Sequence, residues 1–220
     1  MRIELRDVSK GRGGAQLPAT SLVIQRGAAT FAMAETEQRP TVLGLIASGR
    51  MRPDTGTVMI DGEPDTARIR RVVALVDAPV VSEPAGNVRV SEVVAEELMF
   101  AGRHTHVRAV ARQLDELGLR GESATDMADL APEARIRLLT ELAVLRPGVE
   151  ALVLVAPDRH GGDPETWWKI ARELAARDLA VLVIAGVAAR SAIAASAQEE
   201  PRSTVSADSV PLFNLDGKRS

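Results

Sequence analysis

Residues 34–39, Ala-Glu-Thr-Glu-Gln-Arg, lie between an apolar run at 28–33 and an apolar-faced segment at 40–47. The first reads as a short buried strand and the second as a helix. Strand, loop and helix make the frame of a phosphate-binding loop, which asks for Gly-x-x-x-x-Gly-Lys-Ser/Thr. In that motif backbone amides wrap the phosphates, the lysine reaches their oxygens and the hydroxyl holds magnesium. Here Met33 and Gln38 stand at the glycine positions, Arg39 at the lysine position and Pro40 at the serine position, followed by Thr41. Gln38, Arg39, Pro40 and Thr41 are the candidate nucleotide-binding positions, vestiges of such a loop. Glu35 and Glu37 sit where a polyphosphate would lie, and a like charge within ~4–6 Å disfavours it. Their blander role is to face the partial positive charge of a helix N-terminus, worth about 0.3–1 kcal/mol. On that reading Glu35, Glu37 or Thr36 satisfies the first amides of the 40–47 helix.

Other chemistry-bearing residues are weaker candidates. His104 and His106 lie at a helix start without a third ligand, and the reading is a solvated loop with no metal site. Asp158-Arg159-His160-Gly161-Gly162-Asp163 sets a histidine between carboxylates, which could serve acid–base catalysis. The favoured alternative is a loop joining a strand to its crossover helix, with Asp163 as N-cap. Trp167 and Trp168 at helical spacing read as packing, with Trp168 partly exposed at an interface. Arg68, Arg70 and Arg71 form a basic cluster, too small for nucleic acid and read as a solvated edge.

Composition narrows the classes. The chain has 220 residues, a formal net charge of -3 and 26% charged residues, so no broad basic field is present. Cysteine is absent, which removes disulfides, thiol catalysis and cysteine metal sites. Aromatics are 2% with no tyrosine, which argues against stacking recognition of nucleic-acid bases. Residues 1–6 lack the apolar core of a signal peptide, and no stretch approaches the roughly 20 apolar residues of a membrane span. The expected location is the cytoplasm, peripheral at the inner face of the membrane if a membrane partner exists.

The elements that position these residues follow from periodicity. Strands are expected at 3–8, 21–24, 28–33, 56–60 and, as continuous buried runs, 72–76, 151–155 and 179–184. Helical spacing covers 92–99 with Ser91 as N-cap, 107–117, and a segment opened by Pro132 that stops at Pro147-Gly148. Pro164 opens another helix, so that 151–184 makes a strand–helix–strand unit with parallel strands. Residues 196–208 read as a polar loop, and 209–217 as an edge segment, since Pro211 confines a strand to an edge.

Taken in order, these segments resemble the nucleotide-binding domain of the ATP-binding cassette (ABC) family. The points of resemblance are Gly27 before the strand leading to the loop, Thr41 in the helix, and Thr55-Gly56-Thr57-Val58-Met59-Ile60-Asp61-Gly62. They continue with Leu130 before Arg135-Ile136-Arg137-Leu138, then Ala156-Pro157 after a buried strand, and Asp163-Pro164. The resemblance implies one α/β domain over 1–220. It would hold a P-loop NTPase-like parallel core sheet, an N-terminal antiparallel β subdomain, a helical subdomain at about 88–147 and the C-terminal edge segment. It also implies a head-to-tail dimer, in which each phosphate loop faces the partner's signature sequence.

The departures are as regular as the matches. The family's Leu-Ser-Gly-Gly-Gln signature falls on Leu130-Ala131-Pro132-Glu133-Ala134, and the magnesium aspartate and catalytic glutamate fall on Val155 and Ala156. The glutamine after the 72–76 strand is replaced by Asp77-Ala78, the switch histidine falls on Ala185-Gly186-Val187, and the adenine-stacking aromatic on Lys10-Gly11-Arg12-Gly13-Gly14. The expectation is a catalytically inactive protein without cofactor or metal, acting through a protein partner such as a membrane protein or ABC subunit. Alternatives are a transporter ATP-binding subunit with weak residual nucleotide binding, and an unrelated small-molecule enzyme using the 156–163 loop.

Overall fold

A computed structural model describes residues 1–35, 39–199 and 213–214. The elements run β1 (Arg2–Lys10), β2 (Leu17–Gln25), β3 (Ala29–Met33), α1 (Arg39–Ala47), β4 (Thr55–Ile60), α2 (Thr66–Val72), β5 (Val73–Val76) and α3 (Val90–Phe100). They continue with α4 (Val107–Glu116), α5 (Pro132–Ala143), β6 (Ala151–Val155), α6 (Pro164–Ala176), β7 (Ala180–Ala185), α7 (Val187–Glu199) and β8 (Phe213–Asn214). Among the described residues the strands form an antiparallel sheet, ordered β2-β1-β4, and a parallel sheet, ordered β5-β6-β7-β3-β8.

The parallel sheet is buried on both faces, which is why its strands read as unbroken apolar runs rather than alternating ones. Leu152, Leu154, Val181 and Val183 pack with residues of α3, α4, α5 and α6, including Leu98, Leu114, Leu142 and Trp167. Their neighbours Val153, Val155, Leu182 and Ile184 face the other way, onto α1 and the antiparallel sheet, including Leu43, Ile46, Ile3 and Ile24. Each such side chain contributes about 1.5–3 kcal/mol by leaving water. The sheet is thereby clamped between two cores, and its carboxyl ends emerge together at one edge.

Local chemistry corrects several sequence expectations. Ser91 is not the cap of α3: Arg89 takes that position, and Glu92 accepts from its amide (3.1 Å). Val72 ends α2 rather than opening β5. The short α2 starts where the Asp65 carboxylate accepts from the Arg68 amide, an N-cap at 2.8 Å. Residues 196–199, read as loop, belong to α7, whose alanines favour helix strongly enough to outweigh its weak apolar face. The edge segment is present as β8, parallel to β3; the remainder of 209–217 and residues 200–208 lie outside the described residues.

Candidate functional site

At the carboxyl edge of the parallel sheet, β3, β5, β6 and β7 deliver the loops that hold ligands in open α/β sheets. Arg39 and Pro40 open α1 and Thr41 follows, all three half-buried; Gln38 lies outside the described residues. Glu35 reaches another helix: its Oε1 accepts from the Val187 amide, at the start of α7 (2.6 Å). Thr36 and Glu37, the other expected caps, lie outside the described residues. Beside Glu35, Asp158 Oδ2 accepts from the Gly186 amide (2.9 Å). Two carboxylates from two loops thus hold two consecutive amides, a favourable charge–dipole arrangement at a helix start. The fit at Gly186 is close: a Cβ there would lie 3.1 Å from both Glu35 Oε1 and Asp158 Oδ2, so the two carboxylates would have to give by a few tenths of an ångström.

One step along the edge stands a polar cluster inside the protein. Asp77 follows β5 with φ +55° and a fully buried side chain. Arg135, on α5 and itself buried, donates to Asp77 Oδ1 through Nη2 (2.8 Å), to Asp77 Oδ2 through Nε (3.4 Å) and to the Met127 carbonyl through Nη1 (3.0 Å). His160 Nε2 lies 2.7 Å from Asp77 Oδ2. Arg159 Nη1 donates to the carbonyls of Asp77 (2.6 Å) and Val155 (2.9 Å), and its Nη2 binds Glu83 (2.9 Å) and Asp77 (3.1 Å). Burial alone would raise the Asp77 carboxyl. The hydrogen bonds from His160 and Arg135 and the charges of Arg135 and Arg159 overturn that effect and hold it below the usual 3.8. The cluster ties the end of β5, helix α5 and the 156–163 loop to one carboxylate.

That loop is the strand-to-helix connection expected, with Asp163 as N-cap accepting from the Glu165 amide (3.0 Å). What the sequence reading missed is that its histidine and arginine converge on Asp77. A signal was present: Arg135 stands one turn before Leu138 and Leu139 and two turns before Leu142, hence on the inward face, where a guanidinium needs a buried anion. Val155 and Ala156 offer neither a cation ligand nor a base. His106 caps α4 through Nδ1 (3.2 Å from the Ala109 amide), and no group of three metal-ligating side chains exists among the described residues. Trp167 is buried, and Trp168 packs edge-on against Phe31 with 6.0 Å between ring centroids. Arg68 pairs with Asp61, in keeping with a solvated edge. No helix among the described residues is long and apolar enough to cross a membrane.

No family profile and no curated protein sequence matches the chain. Solved structures do. A nucleotide-free ATP-binding cassette from an ABC transporter aligns with TM-score 0.62 and 15% identity, covering 85% of this chain and 82% of that one. An ABC transporter (ATP-binding protein) from Pyrococcus furiosus gives 0.61 and 14%, covering 84% and 92%. The cbiO1 protein of Clostridium perfringens, part of the ABC transporter complex cbiONQ, gives 0.57 and 15%, covering 84% and 77%. The chain has the fold of the ABC ATP-binding domain.

Proposed function

We propose that this protein is a catalytically inactive member of the ABC ATPase fold that acts through protein–protein contacts, as a cytoplasmic accessory subunit of a membrane export system. The observation that carries the reading is the carboxyl edge of the parallel sheet. At that edge, beside the loop that leads into α1, Glu35 and Asp158 occupy the amides of Val187 and Gly186, and Arg159 ties the Val155 carbonyl to Asp77 and Glu83. Phosphoryl transfer depends almost wholly on positioning and on cations and amides that stabilise developing charge. Each lost donor costs roughly 2.7–4 kcal/mol of transition-state binding. Without a lysine at Arg39, glycines at Met33 and Gln38, or carboxylates at Val155 and Ala156, little is left to supply that stabilisation.

A surface for a partner lies at the α3–α4 connection. Met99, Phe100 and Val107 are exposed there beside exposed Arg103 and Arg108. Apolar area flanked by guanidinium groups suits a protein surface that is apolar and acidic. The decisive experiment for inactivity is calorimetric titration with Mg-ATP. No saturable binding is expected below about 1 mM, and a micromolar Kd, about 8 kcal/mol of binding, would refute the reading.

A further inference from the structure

β4 is an outer strand of the sheet β2-β1-β4, and its hydrogen bonds show which of its groups are left over. The Ile60 amide donates to the Glu63 carbonyl (2.8 Å) and the Glu63 amide to the Ile60 carbonyl (2.9 Å). Both main-chain groups of Ile60 therefore face away from β1, whereas the next amide, of Asp61, donates to Arg2 on β1 (2.8 Å). Direction alternates along an antiparallel ladder, so the amide and carbonyl of Val58 also face outward. Neither has a partner among the described residues. An open strand edge is a template for another extended chain.

That edge borders a cavity of about 460 Å3, to which Ile46, Met51, Val58 and Ile69 give apolar walls. Charges of opposite sign stand at its two ends. Arg52, in the lining just before β4, has no partner for its guanidinium among the described residues. The nearby Asp54 is spent, accepting from Lys10 Nζ (2.6 Å) and from the Gly11 amide (2.9 Å). Just after β4, Glu63 and Asp65 flank Pro64 of the lining, and neither carboxylate meets a cationic side chain among the described residues. The hydroxyls of Thr57 and Thr66, which donate or accept, favour neither charge.

We infer that this groove binds a short extended segment of a partner protein, which adds a strand to the Val58 edge and buries apolar side chains in the cavity. An acidic residue of the segment lies against Arg52 and a basic one against Glu63 and Asp65. The groove shares no residue with the carboxyl edge of the parallel sheet or with the α3–α4 connection, so the inference stands whether or not ATP binds.

The test uses the whole chain and reads amide hydrogen exchange first. In the free protein the Val58 amide is expected to exchange about tenfold faster than those of Thr57 and Met59, which face β1. Equal protection at every protein concentration would mean that the chain covers its own edge, and protection lost on dilution that a second copy does; either overturns the inference. Two capped peptides are then titrated, acetyl-Asp-Val-Thr-Val-Lys-amide and acetyl-Lys-Val-Thr-Val-Asp-amide, because an edge can take a strand in either direction. One is expected to bind at about 1 mM or tighter and to slow exchange at Val58. Methylating its three central amide nitrogens removes the backbone donors and should weaken it about tenfold or more. Arg52→Gln, at a side chain that makes no bond, should weaken it about tenfold with the melting temperature unchanged. No saturable binding of either peptide, undiminished affinity after methylation, or wild-type affinity in Arg52→Gln would overturn the inference.

Discussion

Asp77 shows how much one residue can organise. Four donors from Arg135, Arg159 and His160 converge on a carboxylate with no solvent exposure. Removing one partner of a buried pair leaves a charge without compensation, which costs about 3–5 kcal/mol. Asp77→Ala is therefore expected to lose stability of that order in urea unfolding, since the buried Arg135 would have only the Met127 carbonyl. The same carboxylate sets an acid limb. Its folded pKa lies below the ordinary 3.8, so its contribution is fully present above the unfolded value and falls away as pH drops through the folded one. Stability measured downward from pH 5 should therefore decline below about 3.8, and Asp77→Asn should lack that part of the decline. None of this was legible locally: Arg135 and His160 stand 58 and 83 residues from Asp77. The sequence offered Asp77 only as a substituted glutamine, and His160 as a loop residue between carboxylates with acid–base catalysis as the less favoured reading.

Elements were legible where burial imposes a period. The apolar runs at 151–155 and 179–184 gave β6 and β7 because a strand covered on both faces has no polar side to blur it. The short α2 left too few turns for a period to emerge, and the alanine-rich α7 carries its helical preference in propensity rather than in a stripe. α7 is instead fastened at its start, by Glu35 and Asp158. Glu35→Gln combined with Asp158→Asn keeps the shapes but removes both charges. It is expected to cost about 0.5–2 kcal/mol, read as faster hydrogen exchange at the Gly186 and Val187 amides; unchanged exchange there would contradict a capping role. Packing of α1 gives a second element-scale outcome. A Cβ on Gly44 would stand 2.7 Å from Val155 Cγ2 and 3.2 Å from Leu75 Cδ1. Gly44→Ala should therefore force α1 off the sheet, costing about 1–3 kcal/mol despite alanine's better helix propensity.

At the scale of the molecule, the proposed function separates the ABC ATP-binding fold from the ATPase chemistry: the fold rests on two apolar cores, whereas such chemistry rests on a few loop residues. Substitutions at Met33, Arg39, Val155 and Ala156 leave those cores intact, so the architecture could be read from the sequence while the site had to be read from its departures. The same separation bears on assembly. In a head-to-tail pair, a phosphate loop without its lysine would face Leu130-Ala131-Pro132-Glu133-Ala134, which lacks the serine and glycines of the signature. ATP then has few groups to bridge, and ATP-dependent dimerisation is not expected in analytical ultracentrifugation. Contact with a partner should instead depend on the α3–α4 connection. Arg103 and Arg108 are exposed, whereas Arg112 is engaged by Glu116 at 3.1 Å. Reversal of all three to glutamate is expected to reduce partner recovery in co-purification about tenfold, with Arg103 and Arg108 responsible for most of it, since a charged rim acts chiefly on encounter and specificity. Undiminished recovery, together with an ATP-dependent dimer, would favour a nucleotide-binding transporter subunit over an accessory protein.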